Sequence, residues 1–206
     1  MSSHAARRRV ARRPSRAKVR RRRIGLLAAA VILGAVCAAV VSGLGEDAVR
    51  EFTLPLHHDD IIRQQAAEKD LDPSLIAAVI YAESRFRDQE SHAGALGLMQ
   101  VTPATAQLIA RQSGGTQFVI GDLSDPEINI SYGSYYLRYL LQRYDGNEVA
   151  ALAAYNAGMG NVDRWGGSGL DLDGIGFSET RAYVDEVMEK RQEYRSKYAD
   201  ELGLGG

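Results

Sequence analysis

The sequence has a single cysteine, Cys37, among 206 residues. One cysteine cannot form an intramolecular disulfide, so the fold must be stabilised by its apolar core. Stretches in which apolar and polar residues alternate with period two are also missing, which argues against half-buried β-strands. The four histidines lack the spacing of a metal-ligand set, and the sequence therefore indicates no metal centre. They are His4, His57, His58 and His92.

Acidic residues are absent from the first 45 positions, and all 26 of them lie from Glu46 onward. Residues 1–23 contain 11 of the 25 Lys and Arg residues, which leaves 25 − 11 = 14 basic residues against 26 acidic ones. The rest of the chain thus carries a formal charge of −12. Because phosphate binding needs a positive surface, this acidic body argues against nucleic acid as a partner.

Charged residues are also absent from residues 24–45, which are predominantly apolar. As a helix, 22 residues would extend roughly 33 Å, which matches a hydrocarbon core of about 30 Å. This length predicts a single transmembrane anchor, with the basic arm 1–23 cytoplasmic and the remainder extracytoplasmic. The alternative is a signal peptide whose cleavage would release a secreted protein.

After the anchor, the composition divides the chain into three further parts. Residues 46–57 form a short connector, 58–198 a globular domain large enough for one core, and 199–206 a Gly-rich tail that we expect to be flexible. Apolar residues in the domain recur with a helical period. We therefore predict an all-α, mainly helical fold, with a minor hairpin as an option around 88–97.

Several helix boundaries can be read directly from the sequence. An N-cap residue followed by proline is a helix start, and Gly158 is typical of a helix end. The predicted starts are Asp72-Pro73, Thr102-Pro103, Asp125-Pro126, Asn147 and Ser178.

Glu83 is the anomalous residue of its predicted helix. It follows Ile76, Val79 and Ile80 at spacings of seven, four and three residues, which places its carboxyl group on the apolar face. Burial disfavours the charged form, and a carboxyl that stays protonated near neutral pH can act as a general acid. The alternative is a glutamate at the helix end that simply reaches solvent.

Two further segments combine polar groups with tight backbone turns. Gly97 belongs to an apolar, glycine-containing loop, in which Gln100 could bind sugar hydroxyl or acetamide groups and Met99 could offer an apolar contact. Tyr155 and Asn156 end an Ala-rich helix, where they could face a cleft. Packing of the loop on the core and capping of the helix are the alternative interpretations.

Together these segments resemble the catalytic domain of the soluble lytic transglycosylase family, over about residues 60–195. Four short motifs occur in order: Glu83-Ser84, Gly97-Leu98-Met99-Gln100, Ala154-Tyr155-Asn156-Ala157-Gly158 and Glu179-Thr180-Arg181-Ala182-Tyr183-Val184. The family often has a proline shortly after its Glu-Ser pair, whereas Arg85 to Ser91 contains none.

The resemblance implies a lysozyme-like fold and a peptidoglycan substrate, without a metal or other cofactor. It implies cleavage of the β-1,4 bond between N-acetylmuramic acid and N-acetylglucosamine, with formation of 1,6-anhydro ends. Glu83 would be the catalytic acid and then the base. By the same carry-over, substrate binding would fall to Ser84, Gly97, Leu98, Met99, Gln100, Tyr155, Asn156, Glu179 and Tyr183.

Two other functions remain open at this stage. A muramidase similar to goose-type lysozyme would hydrolyse the same bond and would need a group such as Asp88 to position water. A module without catalytic activity would bind glycan within an envelope complex.

Overall fold

The computed structural model describes residues 29, 31–38, 53–91, 94–113 and 119–205. The chain separates into two units, Met1–Phe52 and Thr53–Gly206. In the first unit, residues 31–38 are α-helical and expose apolar side chains, including Val31 and Leu33. The basic arm 1–23 and most of the predicted anchor 24–45 lie outside the described residues. Within the described ranges, no helix is both long and apolar enough to cross a bilayer.

The second unit is helical, as predicted. Its described residues form seven α-helices: α1 Asp59–Lys69, α2 Pro73–Ser84, α3 Pro103–Ser113, α4 Pro126–Arg143, α5 Glu148–Ala157, α6 Met159–Trp165 and α7 Ser178–Lys197. Short 3-10 helices occur at Ile120–Ser124 and Gly167–Gly169. In place of the hairpin considered around 88–97, two isolated antiparallel bridges join Leu96 to Glu90 and to Val101.

The helices begin at the positions that the predicted capping residues indicated. The Asp72 carboxylate accepts a hydrogen bond from the backbone N–H of Ser74, and Asp125 and Asn147 cap α4 and α5 in the same way. Each side chain thereby satisfies an N–H group that has no partner inside its helix. Gly158, with φ of 85°, ends α5.

The core is centred on α5 and α2. Ala150 to Ala154 are completely buried, so the middle of α5 is surrounded by protein on all sides. On α2, Ile76 to Ile80 are also fully buried, and this helix packs most extensively against α7. The small side chains of α5 allow the neighbouring helices to approach closely, which explains its Ala-rich composition.

A partly buried ionic cluster fixes the start of α2 against α5 and α7. The Arg191 guanidinium binds Asp72 at 2.9 Å and Glu148 at 2.6 Å, and Arg195 binds Asp72 at 3.0 Å. Asp72 therefore caps one helix and joins it to another.

Both ends of the described domain are packed more tightly than composition suggested. Leu54, in the predicted connector, and Leu202, in the predicted flexible tail, are each 1% exposed. The Leu202 N–H donates to the carbonyl of Tyr198, and the carbonyl of Glu201 accepts a hydrogen bond from Arg63. Glycine content indicated flexibility here, but a single buried leucine is enough to anchor a short segment to the core.

Candidate active site

Glu83 lies in the last turn of α2, after the fully buried Ile76, Val79 and Ile80. Its side chain is half-buried at the edge of the core. The hydroxyl of Tyr183, 100 residues away on α7, donates a hydrogen bond of 2.8 Å to Glu83 Oε1. The predicted placement of Glu83 on the apolar helix face is therefore confirmed, and the structure adds a hydrogen-bond donor from another helix.

The environment of Glu83 raises its pKa. Burial lifts the pKa of the carboxyl from 4.5 to about 7, while the hydrogen bond from Tyr183 acts in the opposite direction but is weaker. A carboxyl with this pKa is present in both its acid and its base form near neutral pH. It can thus donate a proton in one step and accept one in the next.

Two tyrosines surround the acid as neutral hydrogen-bond donors. Burial, followed by the charge of Glu83, raises the pKa of Tyr183 and of Tyr155 well above their ordinary values. The Tyr155 hydroxyl donates to the carbonyl of Met99 at 2.9 Å, and its ring packs on Tyr136 with a centroid separation of 5.5 Å. Tyr155 thus connects α5 to the loop that contains Met99.

The chain turns sharply directly after the acid. Ser84 is buried and donates to the carbonyl of Ile80 at 3.1 Å, so its hydroxyl stabilises the helix end. Arg85 and Phe86 both adopt left-handed conformations, with φ of 55° and 58°. The turn directs Phe86 into the core, where it is 7% exposed. This double left-handed turn shapes the segment in which the family's proline is absent.

The loop 97–100 is a support of the site, because its side chains face the core. Leu98 is 3% exposed and Met99 is completely buried. A Cβ atom on Gly133 would lie 2.4 Å from Met99 Sδ, so the methionine fills the space above that glycine. A role for Leu98 or Met99 in binding sugar stays a prediction, and the packing alternative describes their side chains in this structure.

Asn129 holds this loop in place, a role that the sequence did not indicate. Its Oδ1 accepts from the Met99 N–H at 2.8 Å, and its Nδ2 donates to the carbonyls of Leu96 and Leu123 at 2.8 and 2.9 Å. A Cβ atom on Gly97, whose φ is 72°, would lie 2.2 Å from Asn129 Nδ2. The available signal was an asparagine beside Ile130 on the buried face of α4, where a polar side chain needs partners.

The remaining predicted site residues differ in their surroundings. The amide of Gln100 donates to the carbonyls of Gly97 and Gln89 at 2.8 and 3.0 Å, so it closes the loop on itself. Asn156 is exposed, and its Oδ1 accepts from the buried Thr180 hydroxyl at 2.8 Å. Glu179 is exposed one turn before Tyr183 on α7. Of the predicted residues, the structure brings Tyr183 into direct contact with Glu83.

Comparison with known proteins places this domain in a family. The model of the Transglycosylase SLT domain family matches residues 60–174, more than half of the chain. The soluble lytic murein transglycosylase of Escherichia coli K12 is 34% identical over 163 residues, which cover 75% of this chain and 25% of that protein. The membrane-bound lytic murein transglycosylase C of Haemophilus influenzae PittGG is 39% identical over 145 residues, covering 66% and 38%.

A solved structure supports the same relationship. The inactive glutamate-to-glutamine mutant of lytic transglycosylase Slt from Pseudomonas aeruginosa superposes with a TM-score of 0.67 at 33% identity, over 72% of this chain and 25% of that one. The chain spans about a quarter of the length of this protein and of the E. coli relative. On the strength of its match over residues 60–174, the chain belongs to the Transglycosylase SLT domain family.

Proposed function

We propose that this protein is a peptidoglycan lytic transglycosylase with Glu83 as its single catalytic acid and base. The observation that carries the proposal is the carboxyl of Glu83, which has a pKa of about 7 and accepts a hydrogen bond from Tyr183. The substrate bond is the β-1,4 link between N-acetylmuramic acid and N-acetylglucosamine. The names of the relatives support this substrate class.

In the first step, protonated Glu83 donates its proton to the glycosidic oxygen as the bond to the muramic acid C1 breaks. Because the Tyr183 hydroxyl occupies Oε1, the other carboxyl oxygen is the natural proton carrier. The positive charge that develops on the sugar is stabilised by the carboxylate that forms and by the acetamide of the substrate. Most glycosidases use a second carboxylate at this point, and the substrate group would replace it.

In the second step, ionised Glu83 removes the proton from the 6-hydroxyl of the same muramic acid residue. That oxygen attacks C1 and closes the 1,6-anhydro ring, and the proton from the 6-hydroxyl returns Glu83 to its protonated form, while the first proton leaves on the 4-hydroxyl of the departing sugar. A tethered hydroxyl competes well with water because its effective concentration is very high. Gln100, Tyr155, Asn156 and Glu179 would surround the sugars, while Leu98 and Met99 would support the loop from the core.

The reaction can be tested on purified peptidoglycan by mass spectrometry of the released muropeptides. We expect anhydro ends from the wild type and a loss of at least about a hundredfold in their rate of release for Glu83→Gln, since proton transfer contributes roughly 10²–10⁴-fold. Asp88→Asn is the matched control, because Asp88 is an exposed carboxylate in the following loop. This variant should retain the wild-type products and rate.

Other results would support the alternative functions. Reducing ends that depend on Asp88 would indicate a muramidase, in which water replaces the 6-hydroxyl. Unchanged digestion by Glu83→Gln would show that Glu83 is not the catalytic acid, and glycan binding without cleavage by the wild type would favour a non-catalytic envelope module.

We further propose that the protein is a single-pass membrane protein with its catalytic domain outside the cell membrane. The support is the uncharged apolar stretch 24–45, which follows the basic arm 1–23. The name of the H. influenzae relative is compatible with this location. The anchor would keep the domain beside the inner surface of the wall, and cleavage of the stretch as a signal peptide would release it instead.

A further inference from the structure

Residues 53–57, here called the strap, are attached to the catalytic domain by three tyrosine hydroxyl groups. Tyr81, Tyr198 and Tyr194 donate to the carbonyls of Thr53, Leu54 and Pro55, at 3.1, 2.7 and 2.6 Å. The three acceptors are consecutive in the chain. Between them, the Leu54 side chain is 1% exposed, so the strap has both a polar and an apolar attachment.

The three tyrosines lie on, or directly after, the two helices that carry Glu83 and Tyr183. Tyr81 lies on α2, two residues before Glu83, while Tyr194 lies on α7, eleven residues after Tyr183. Tyr198 directly follows α7. The strap therefore spans the pair of helices whose relative position determines the distance between Glu83 and Tyr183.

Aromatic packing continues this connection beneath the strap. The Tyr194 ring contacts both Tyr81 and Phe86, at centroid separations of 6.3 and 6.1 Å, and it stacks on Tyr198 at 5.7 Å. The ring of His57, the last strap residue, meets the edge of Phe86 at 6.0 Å. Phe86 is the residue that the left-handed turn after Glu83 directs into the core, so the strap also covers the end of α2.

We propose that the strap positions the active site by fixing α2 against α7, so that Tyr183 stays within hydrogen-bond distance of Glu83. Only the effect of the strap on catalysis rests on the proposed function of the protein. The geometric part of the proposal concerns the hydrogen bond between the two side chains and can be tested without any activity. Tyr194 and Tyr198 act here as positioning residues, because their hydroxyl groups bind carbonyls of the strap and not the carboxyl of Glu83.

Ion pairs at both ends of α2 also join this helix to α7, but they differ from the strap. Arg85 binds Glu186 at 2.6 Å, and its side chain is 40% exposed, so solvent screens this pair. Arg191 binds Asp72 at the opposite end of α2 from Glu83. The strap differs from these ion pairs because it also buries an apolar side chain, that of Leu54.

The test is a full-length variant with Tyr194→Phe and Tyr198→Phe, which removes two hydroxyl groups and keeps both rings. Carbon-13 NMR of the Glu83 carboxyl during a pH titration reports its pKa directly. The intact hydrogen bond from Tyr183 lowers the pKa of Glu83, and a looser α7 would lengthen and weaken this bond. Ile76, Val79 and Ile80, which lie on α2 with Glu83, would keep the carboxyl shielded from water. We expect the pKa of Glu83 to rise by about 0.5, a change that corresponds to roughly a threefold shift in the protonation equilibrium.

Two comparisons separate positioning from a general loss of stability. Tyr144→Phe removes a partly buried hydroxyl that donates to Asp163 at 3.0 Å, with the carbonyl of Met159 at 3.3 Å as its other possible acceptor, far in sequence from the strap. This control should lower the unfolding temperature without changing the titration of Glu83. In a Tyr183→Phe background the strap variant should no longer raise the pKa of Glu83, because the hydrogen bond through which it acts is already absent.

The proposal is overturned if the strap variant unfolds earlier but Glu83 titrates as in the wild type. It is equally overturned if the pKa changes by the same amount with and without Tyr183. Neither result depends on wall cleavage, so an inactive wild-type protein, which would contradict the proposed function, leaves this test intact.

Discussion

At the scale of single residues, the burial that raises the pKa of Glu83 also makes its ionised form unfavourable for the stability of the fold. Its pKa in the folded protein is about 7, against 4.5 as the ordinary value. Because the folded state binds this proton more tightly than the unfolded chain, the stabilisation is complete below pH 4.5 and is lost as the pH rises through 7. Above that pH, a partly buried carboxylate that has no ion pair with any described residue opposes folding.

Replacing Glu83 by glutamine should therefore stabilise the protein in alkaline solution. Glutamine can still accept the Tyr183 hydrogen bond and carries no charge to desolvate. We expect the free energy of unfolding at pH 8 to increase by about 2 kcal/mol, a value discounted for the exposed part of the side chain. At pH 4, where the glutamate is protonated, the two proteins should be equally stable. Urea unfolding at both pH values measures the difference.

The control for this prediction is Asp88→Asn, which removes an exposed negative charge from the neighbouring loop. It should leave stability nearly unchanged at either pH, since the ion is hydrated in both the folded and the unfolded state. Parallel stability curves of Glu83→Gln and the wild type from pH 4 to pH 8 would show that burial does not perturb this carboxyl.

At the scale of helices, the ion pair of Asp72 with Arg191 is much less exposed than the surface ion pair of Asp70 with Arg138. Asp72 and Arg191 are 16% and 17% exposed, whereas Asp70, which binds Arg138 at 3.2 Å, is 91% exposed. Burial alone would raise the pKa of Asp72, but hydrogen bonds from Ser74 and Arg191 outweigh it and lower the pKa. The charged form of Asp72 is therefore favoured by folding, and its stabilisation is lost as the pH falls below 3.8.

We expect Asp72→Asn to lower the free energy of unfolding by about 1–3 kcal/mol at pH 7, because asparagine can still cap α2 but leaves Arg191 short of a counter-charge. Asp70→Asn should change it by less than about 0.5 kcal/mol, as exposed pairs contribute little. Chemical denaturation of the two variants makes the comparison. Equal effects would mean that the cluster joining α2, α5 and α7 adds no more than a surface pair.

Contacts between residues that are close in the chain could be predicted from the sequence, whereas contacts between distant helices could not. Helix starts at Asp72, Asp125 and Asn147 were predictable because a cap and the helix it begins are neighbours in the chain. Glu83 was identifiable because its spacing from Ile76, Val79 and Ile80 is local as well. The hydrogen bond from Tyr183 to Glu83 joins residues that are 100 positions apart, and the three tyrosines that bind the strap lie 28 to 144 positions from the carbonyls that they contact. Local residue spacing carries no signal of contacts over such separations, and a backbone acceptor is independent of residue type, so these contacts required the structure.

At the scale of the whole molecule, the separation of charge makes the proposed anchor testable. The basic arm 1–23 can by itself bind anionic lipid, since each Lys or Arg near such a surface contributes about 1 kcal/mol. That attraction is screened within a Debye length of about 10 Å at 0.1 M salt and less at higher concentration. Insertion of residues 24–45 depends instead on apolar burial, which salt does not weaken. Membrane binding by the arm and by the anchor therefore differ in their response to salt.

We predict that the full chain sediments with membranes both in 1 M NaCl and in alkaline carbonate. A variant without residues 24–45, which keeps the basic arm, should bind at low salt and be released by 1 M NaCl.

Protease added outside the cell membrane should digest a tag at the C-terminus and spare one at the N-terminus, since the arm is expected to stay in the cytoplasm. A mature protein whose mass lacks the first 45 residues would show that the stretch is a cleaved signal peptide. In that outcome the catalytic domain would be released without the arm and the anchor.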